Sequence, residues 1–276
     1  MTTVLVPTDF SPNANNALAY ASALAKRHNP KLILLHSYDI PLMAPAGMFT
    51  TRASTMQYTT TELREAARTR MAALVTEYDL GEHPHRCMIR EGSVVSTIVE
   101  EANKQHCDLV IMGTLGESSM ENLVMGSVTN AVIRKSKTPV LAIPHGATFN
   151  GISRIVYATQ LNAPETETFE NLADFAEQQN AILDFVYIND GTGGNEEQQE
   201  ALARFITQHP YKKMAFTAVD TEDAVEGINQ FAQEQEASMV ALTTHSGSLV
   251  KQLFHRSVAK TLALHSRIPL LVYSAQ

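Results

Sequence analysis

Short apolar runs alternate along this chain with longer stretches in which apolar residues recur every three or four positions. The runs, rich in β-branched residues, read as strands, and the periodic stretches read as amphipathic helices. Val4-Leu5-Val6 is the first strand; Phe10, Ala14, Ala17, Leu18, Ala21, Leu24 and Ala25 then recur at helical spacing. Leu32–Leu35, a helix near 61–79, a weak strand at Met88-Ile89 and a helix near 93–105 come next. Leu109–Met112, a helix near 127–135 and Val140–Ile143 follow. Alternation of this kind predicts a parallel sheet covered by helices on both faces.

The same order returns after Asn150-Gly151. Strands are expected at Ile155–Tyr157, Ile182–Tyr187, Met214–Phe216, Met239–Leu242 and Leu270–Val272, with helices near 163–179, 195–208, 222–236 and 256–265. Sliding the chain by 130 residues lays 108–143 on 238–273 without a gap, and nine of the 36 positions are identical. Ser127/Ser257, Val128/Val258, Ser136/Ser266 and Pro139/Pro269 are among them. Identity in register points to duplication, with a first domain at 1–148 and a second at 149–276. Two segments stand outside the scheme. Pro41–Thr60 lacks periodicity and reads either as a lid or binding loop or as a mobile connection. Asp190–Gly194 reads as a turn.

Length, 276 residues, and 44% hydrophobic content suit two domains with sizeable cores. The formal net charge of −8, without a long basic run, argues against nucleic acid or an anionic membrane as partner. No apolar run is long enough to span a bilayer, and the first residues show no secretory pattern. Cys87 and Cys107 are too few for a disulfide framework and read as free thiols. These features together predict a cytoplasmic protein.

The chemistry concentrates after the fourth strand. Met112 is followed by Gly113-Thr114-Leu115-Gly116 and, nine residues later, by Gly126-Ser127-Val128-Thr129. Glycines in this pattern, G-x-x-G-x9-G-S, let backbone turn sharply and approach a phosphate. The following helix offers unpaired N–H groups and the positive end of its dipole. Ser127 and Thr129 add hydroxyls. Pro7-Thr8-Asp9 occupies the carboxyl end of the first strand, where open α/β sheets place ligands. Asp9 suits a ribose or nucleobase contact, and equally a cap for the helix near Ser11.

With these two motifs the chain resembles the universal stress protein family, over both halves, and the first half resembles its ATP-binding subclass. The resemblance implies tandem Rossmann-like domains (adenine nucleotide alpha hydrolase-like), each a five-stranded parallel sheet of order 3-2-1-4-5. It implies that Asp9, with Pro7 and Thr8, faces the adenosine, and that Ser37 flanks the adenine. Met112 and Gly113 would line base and ribose, with Thr114 beside them. Gly116, Gly126, Ser127, Val128 and Thr129 would hold the phosphates of ATP, or of ADP or AMP. Leu115 stands where a histidine can occur. Mg²⁺ or Mn²⁺ could accompany the phosphates, though no carboxylate cluster demands either. The family further implies domain pairing through Val140–Ile143 and Leu270–Val272, a pseudo-dimer within one chain, and allows a homodimer of chains. Apolar edge strands left bare would themselves invite that pairing.

In the second half Gly113 becomes Thr243, Gly116 becomes Ser246 and Gly126 becomes Arg256, while Asp9 becomes Gln160. The expectation is a crowded phosphate loop and a second domain that stabilises the first without binding nucleotide. His83-Pro84-His85 reads as an exposed loop ahead of a metal site, and His245 and His255 as surface residues. His145-Gly146, half of a nucleotidyl-transferase signature, is set aside as lying past the last strand. No P-loop, G-x-G-x-x-G or G-x-S-x-G motif occurs. The expected function is nucleotide-dependent regulation or stress response, not enzymatic turnover. A weak ATPase or phosphotransferase and a nucleotide-free interaction module are the alternatives.

Overall fold

The computed structural model describes residues 1–39, 52–114, 126–159, 166–189, 196–221, 223–244 and 268–274. In the first half β1 (Thr3–Pro7), β2 (Lys31–Tyr38), β3 (His85–Glu91), β4 (Leu109–Gly113) and β5 (Val140–Ile143) alternate with α1 (Pro12–His28), α2 (Arg52–Glu77), α3 (Val94–Lys104) and α4 (Ser127–Lys135). The second half supplies β6 (Arg154–Thr159), α5 (Thr166–Gln179), β7 (Ile182–Asn189), α6 (Glu196–Gln208), β8 (Met214–Asp220), α7 (Ala224–Glu234), β9 (Met239–Thr244) and β10 (Leu270–Ser274). The helix expected at 256–265 falls outside the described residues.

Each half has the order 3-2-1-4-5, but the expectation of two separate sheets is corrected. The ten strands form one mixed sheet, β3-β2-β1-β4-β5-β10-β9-β6-β7-β8. Within each half neighbours run parallel; at the seam β5 and β10 run antiparallel, pairing Val140 with Val272, Leu141 with Leu271 and Ala142 with Leu270. Short edges whose paired residues are all apolar have closed on each other, which removes two exposed ladders at once. Because the strand direction reverses there, the carboxyl ends of the two halves lie on opposite edges of the sheet.

Both faces carry cores that cross the seam. On one, α1, α2, α5 and α6 cover Val4, Val6, Leu141, Ile155, Tyr157 and Leu271. On the other, α3, α4 and α7 cover Leu5, Val110, Val140, Val156 and Val272. Strands buried on both faces explain the continuous apolar runs of the sequence.

Helix α2 begins earlier than the apolar periodicity suggests. Residues 52–60, assigned above to a loop, are helical. Neither Pro nor Gly occurs between Arg52 and Asp79, so nothing stops the helix from extending upstream. The rest of the loop, 41–51, lies outside the described residues, as does the turn at 190–194.

Candidate functional site

Two strand ends meet where the connections diverge, β1 leading to β2 on one side and β4 to β5 on the other. β1 pairs with β4 at Val4–Leu109 and Leu5–Val110, so Pro7–Asp9 and Met112–Thr114 arrive at the same edge. This is the switch point of a doubly wound sheet, the position where such folds hold ligands.

The turn out of β1 is built from its own side chains. Thr8 N–H still donates to Leu35 O at 2.8 Å, extending the ladder by one residue. Thr8 Oγ1 accepts from Phe10 N–H at 2.9 Å, and Asp9 Oδ1 from Ser11 N–H at 2.9 Å. Ser11 caps α1 by accepting from Ala14 N–H at 3.2 Å. Phe10 at φ +65° makes the reversal. The helix cap is therefore Ser11, while Asp9 braces the turn with one oxygen and stands exposed at the sheet edge.

At the end of β4 each polar group has a defined task. Gly126 N–H donates to Thr114 O, so the two ends of the intervening segment touch. Thr129 is buried, and its hydroxyl donates to Gly113 O at 2.8 Å. In this structure that hydroxyl anchors α4 to β4 and is not offered as a free donor. Ser127 and Val128 are exposed, and Gly126 supplies no side-chain cap to the helix start. Backbone N–H groups at an uncapped N-terminus attract anions. Ser37 Oγ donates to Gly92 O at 3.1 Å, tying the end of β2 to the turn before α3. Met112 is buried on the α3/α4 side. Gly116 and Leu115 lie outside the described residues.

Gly113 has a reason to lack a side chain other than phosphate approach. A Cβ there would stand 2.7 Å from Asn13 O and 2.9 Å from Asn13 C. The first turn of α1 thus packs directly on the end of β4. Asn13 and His145 were not singled out for this site by sequence, yet His145 Nδ1 lies 2.8 Å from Asn13 Oδ1. His36 was also missed. Its Nδ1–H donates to Thr8 O at 2.8 Å, and its ring packs on Phe10 with centroids 4.5 Å apart. A histidine closing an otherwise aliphatic strand was the available signal.

In the second half the loop expected to be crowded lies outside the described residues, but Thr243, counterpart of Gly113, faces α5. Its Oγ1 lies 2.7 Å from Tyr157 OH and 3.5 Å from Thr168 Oγ1. Tyr157, Phe169 and Phe185 replace Val6, Leu18 and Leu34 of the first half and pack edge to face. Gln160, Ser246, Arg256, His245 and His255 lie outside the described residues. Among those described, no group of three His, Cys, Asp or Glu could hold a metal ion; His85 Nδ1 meets His83 O at 3.0 Å. None of the described helices is long and apolar enough to cross a membrane.

These features define a class: a duplicated, doubly wound α/β protein with a candidate site at the switch point of its first half. The chain belongs to the universal stress protein family, whose family model matches residues 1–144 and again 151–274. A universal stress protein of Methanocaldococcus jannaschii is 29% identical over 150 residues, 51% of this chain and 93% of that protein. One from Synechocystis is 30% identical over 142 residues, 51% of this chain and 85% of that protein. A universal stress protein structure from Archaeoglobus fulgidus superposes with a TM-score of 0.74, covering 99% of this chain and 96% of that one at 16% identity. That likeness speaks for the fold of the whole tandem.

Proposed function

We propose that this protein is a nucleotide-responsive stress or regulatory protein that binds one adenine nucleotide, in its first half. The observation that carries the reading is the uncapped start of α4 held against the end of β4, at the same end of the sheet as the exposed Asp9 carboxylate. Gly126 offers those helix N–H groups no side-chain partner, and a polyphosphate would suit them. Gly116, Gly126, Ser127 and Val128 would hold phosphates, with Thr129 fixing the helix. Asp9, Ser37, Met112 and Gly113 would surround ribose and adenine, with Pro7, Thr8 and Thr114 shaping the strand ends. ATP is the favoured ligand, with ADP and AMP as weaker fits. A Mg²⁺ or Mn²⁺ ion would be held by phosphates and water.

The reading includes binding and not turnover. The described site residues hold one carboxylate, Asp9, and no Lys or Arg, whereas phosphoryl transfer relies on positioned cations and a base. The second half serves as an intrachain partner whose site is replaced by hydrogen-bonded core. A cytoplasmic location and pairing of two chains belong to the same proposal. Calorimetric titration of ATP into wild type, Asp9→Ala and Gly126→Arg tests it. One site per chain is expected, weakened about tenfold or more in Asp9→Ala and lost in Gly126→Arg, as removal of a charged hydrogen-bond partner and blockage of a helix terminus predict. No binding, or two sites per chain, overturns it.

A further inference from the structure

The edge strand β3 is open and basic. It ends the sheet, and among the described residues nothing pairs with its outer side. Leu32 N–H donates to Pro84 O, and Gly92 N–H to Tyr38 O. In a parallel ladder, alternate residues supply both groups to one neighbour. The backbone groups of Pro84, Arg86, Met88, Arg90 and Gly92 therefore face β2, while His85, Cys87, Ile89 and the exposed Glu91 turn N–H and C=O outward.

A groove of about 730 Å³ runs along this edge between β3 and α2. Arg64 and Arg68 line it from α2, one turn apart, while Arg86 and Arg90 of β3, whose backbone borders it, send their guanidinium groups to the other face of the sheet, toward α3. Arg90 is paired with Glu101 and Arg68 with Glu65; among the described residues Arg86 reaches Gln105, at 3.5 Å. Met71 and Val75 form an apolar floor. This concentration of arginine stands out in a chain of net charge −8. The opposite edge is built otherwise: β8 ends in Asp220, and α6 opens with Glu196 and Glu197.

We propose that this edge binds an acidic polypeptide segment in extended conformation, added to β3 as a further strand. Outward N–H and C=O groups alternate, and only another strand meets both; a phosphate chain offers acceptors alone. Arginines on either side of that ladder suit carboxylates at alternate positions of the incoming strand. A second copy joining β3 to β3 would set Arg86 and Arg90 against their own equivalents, which like charge opposes.

The test uses a fluorescein-labelled ten-residue peptide of alternating glutamate and valine, titrated into the full chain by anisotropy at low and moderate salt. Saturable binding at one per chain is expected, weakening with salt, and at least tenfold weaker for Arg64→Ser/Arg86→Ser. The same peptide N-methylated at alternate amides is expected to bind at least tenfold more weakly, a control that leaves the protein unaltered. Bound peptide is expected to protect Cys87, which lines the groove, from iodoacetamide. Absence of saturable binding, equal binding by the double variant, or equal binding by a lysine–valine peptide overturns the proposal. Equal binding of the N-methylated peptide together with its displacement by polyphosphate marks a polyanion surface and overturns it too. So does self-association of the unliganded chain that the double variant abolishes.

Discussion

Leu141 and Leu271 lie directly opposite each other across the antiparallel β5–β10 seam, and they are the same position of the repeat, 130 residues apart. A pseudo-twofold axis therefore passes between them. Both are buried, and both belong to the core that joins the halves. Leu141→Ala should cost about 2–5 kcal/mol, the usual range for a leucine truncated in a core. Leu271→Ala should cost a similar amount, and the double variant less than the sum, because residues in contact do not add. Urea titrations followed by circular dichroism measure this. Wild-type halves that unfold in two well-separated transitions would show that the seam does not couple them.

Gly113 is required by α1 before any ligand is considered. A Cβ would meet backbone atoms of Asn13 at 2.7 and 2.9 Å, and backbone cannot swing aside as a side-chain tip can. Gly113→Ala should therefore lower stability by about 1–3 kcal/mol without nucleotide present, the range for overpacked sites. Gly81→Ala is the control, since nothing lies within 4 Å of its Cβ position. Thermal melts of the two variants decide it: equal melting temperatures would remove the packing role.

Much of this was legible in sequence because it rests on patterns of burial. Strands such as Val140–Ile143 were placed to the residue, since an apolar tetrapeptide between Pro139 and Pro144 has few other readings. The seam was expected from the family resemblance, and the two apolar edges of the duplicated chain fit it. What escaped depends on contacts between distant segments. Nothing near Gly113 in sequence reveals Asn13, and nothing near Thr243 reveals Tyr157. The start of α2 escaped because residues 52–60, rich in Ser and Thr, show neither an apolar stripe nor a strong helix propensity. At the candidate site, Asp9 and the α4 terminus were legible from motif spacing, whereas the hydroxyl of Thr129 is turned to Gly113 O by tertiary geometry alone.

Acid should weaken the packing of α3 through Glu101. Burial pushes its carboxyl up, but hydrogen bonds from Arg90 and Gln105 and the charges of Arg90 and Lys104 more than offset this, leaving it below the usual range. A depressed folded value means that the stabilisation is present above the ordinary glutamate range, near pH 4.5, and is lost as pH falls through the folded value. Asp108 shifts the same way: burial opposes ionisation, and the N–H groups of Thr2 and Thr3 outweigh it. Wild type should lose melting temperature steadily between about pH 5 and pH 3. Arg90→Met removes one partner of a partly exposed pair and leaves Glu101 held by Gln105, costing about 1–2 kcal/mol at neutral pH, and should recover stability relative to wild type on acidification. Parallel pH profiles for the two proteins would refute the pairing.

The two thiols should react in a fixed order. Cys87 is exposed and Cys107 buried, and burial, followed by the Asp108 charge, pushes the Cys107 thiol up to about 11. The thiolate is the reactive form, so at pH 8 only about one Cys107 in a thousand is ionised. Iodoacetamide should label Cys87 first, and Cys107 only in urea. Mass spectrometry of partly labelled protein gives the order, and early modification of Cys107 would contradict its burial.

Thr243 offers the sharpest test of why the second half differs. Restoring glycine there would reopen a site if the threonine were a mere obstruction. The structure gives it a positive role, because its hydroxyl sits 2.7 Å from that of the fully buried Tyr157 beneath α5. Thr243→Val keeps the volume and removes the hydrogen bond, and should cost about 0.5–1.5 kcal/mol, as should Tyr157→Phe. The combined variant should cost less than the two added together, because one interaction cannot be lost twice. Thr243→Gly should cost more than either, since it also opens a cavity beside the ring. It should leave nucleotide stoichiometry unchanged, because Gln160 and Arg256 still stand where the first half has Asp9 and Gly126. Additive losses in the cycle, or an extra nucleotide bound by Thr243→Gly, would show that the residue obstructs and does not support.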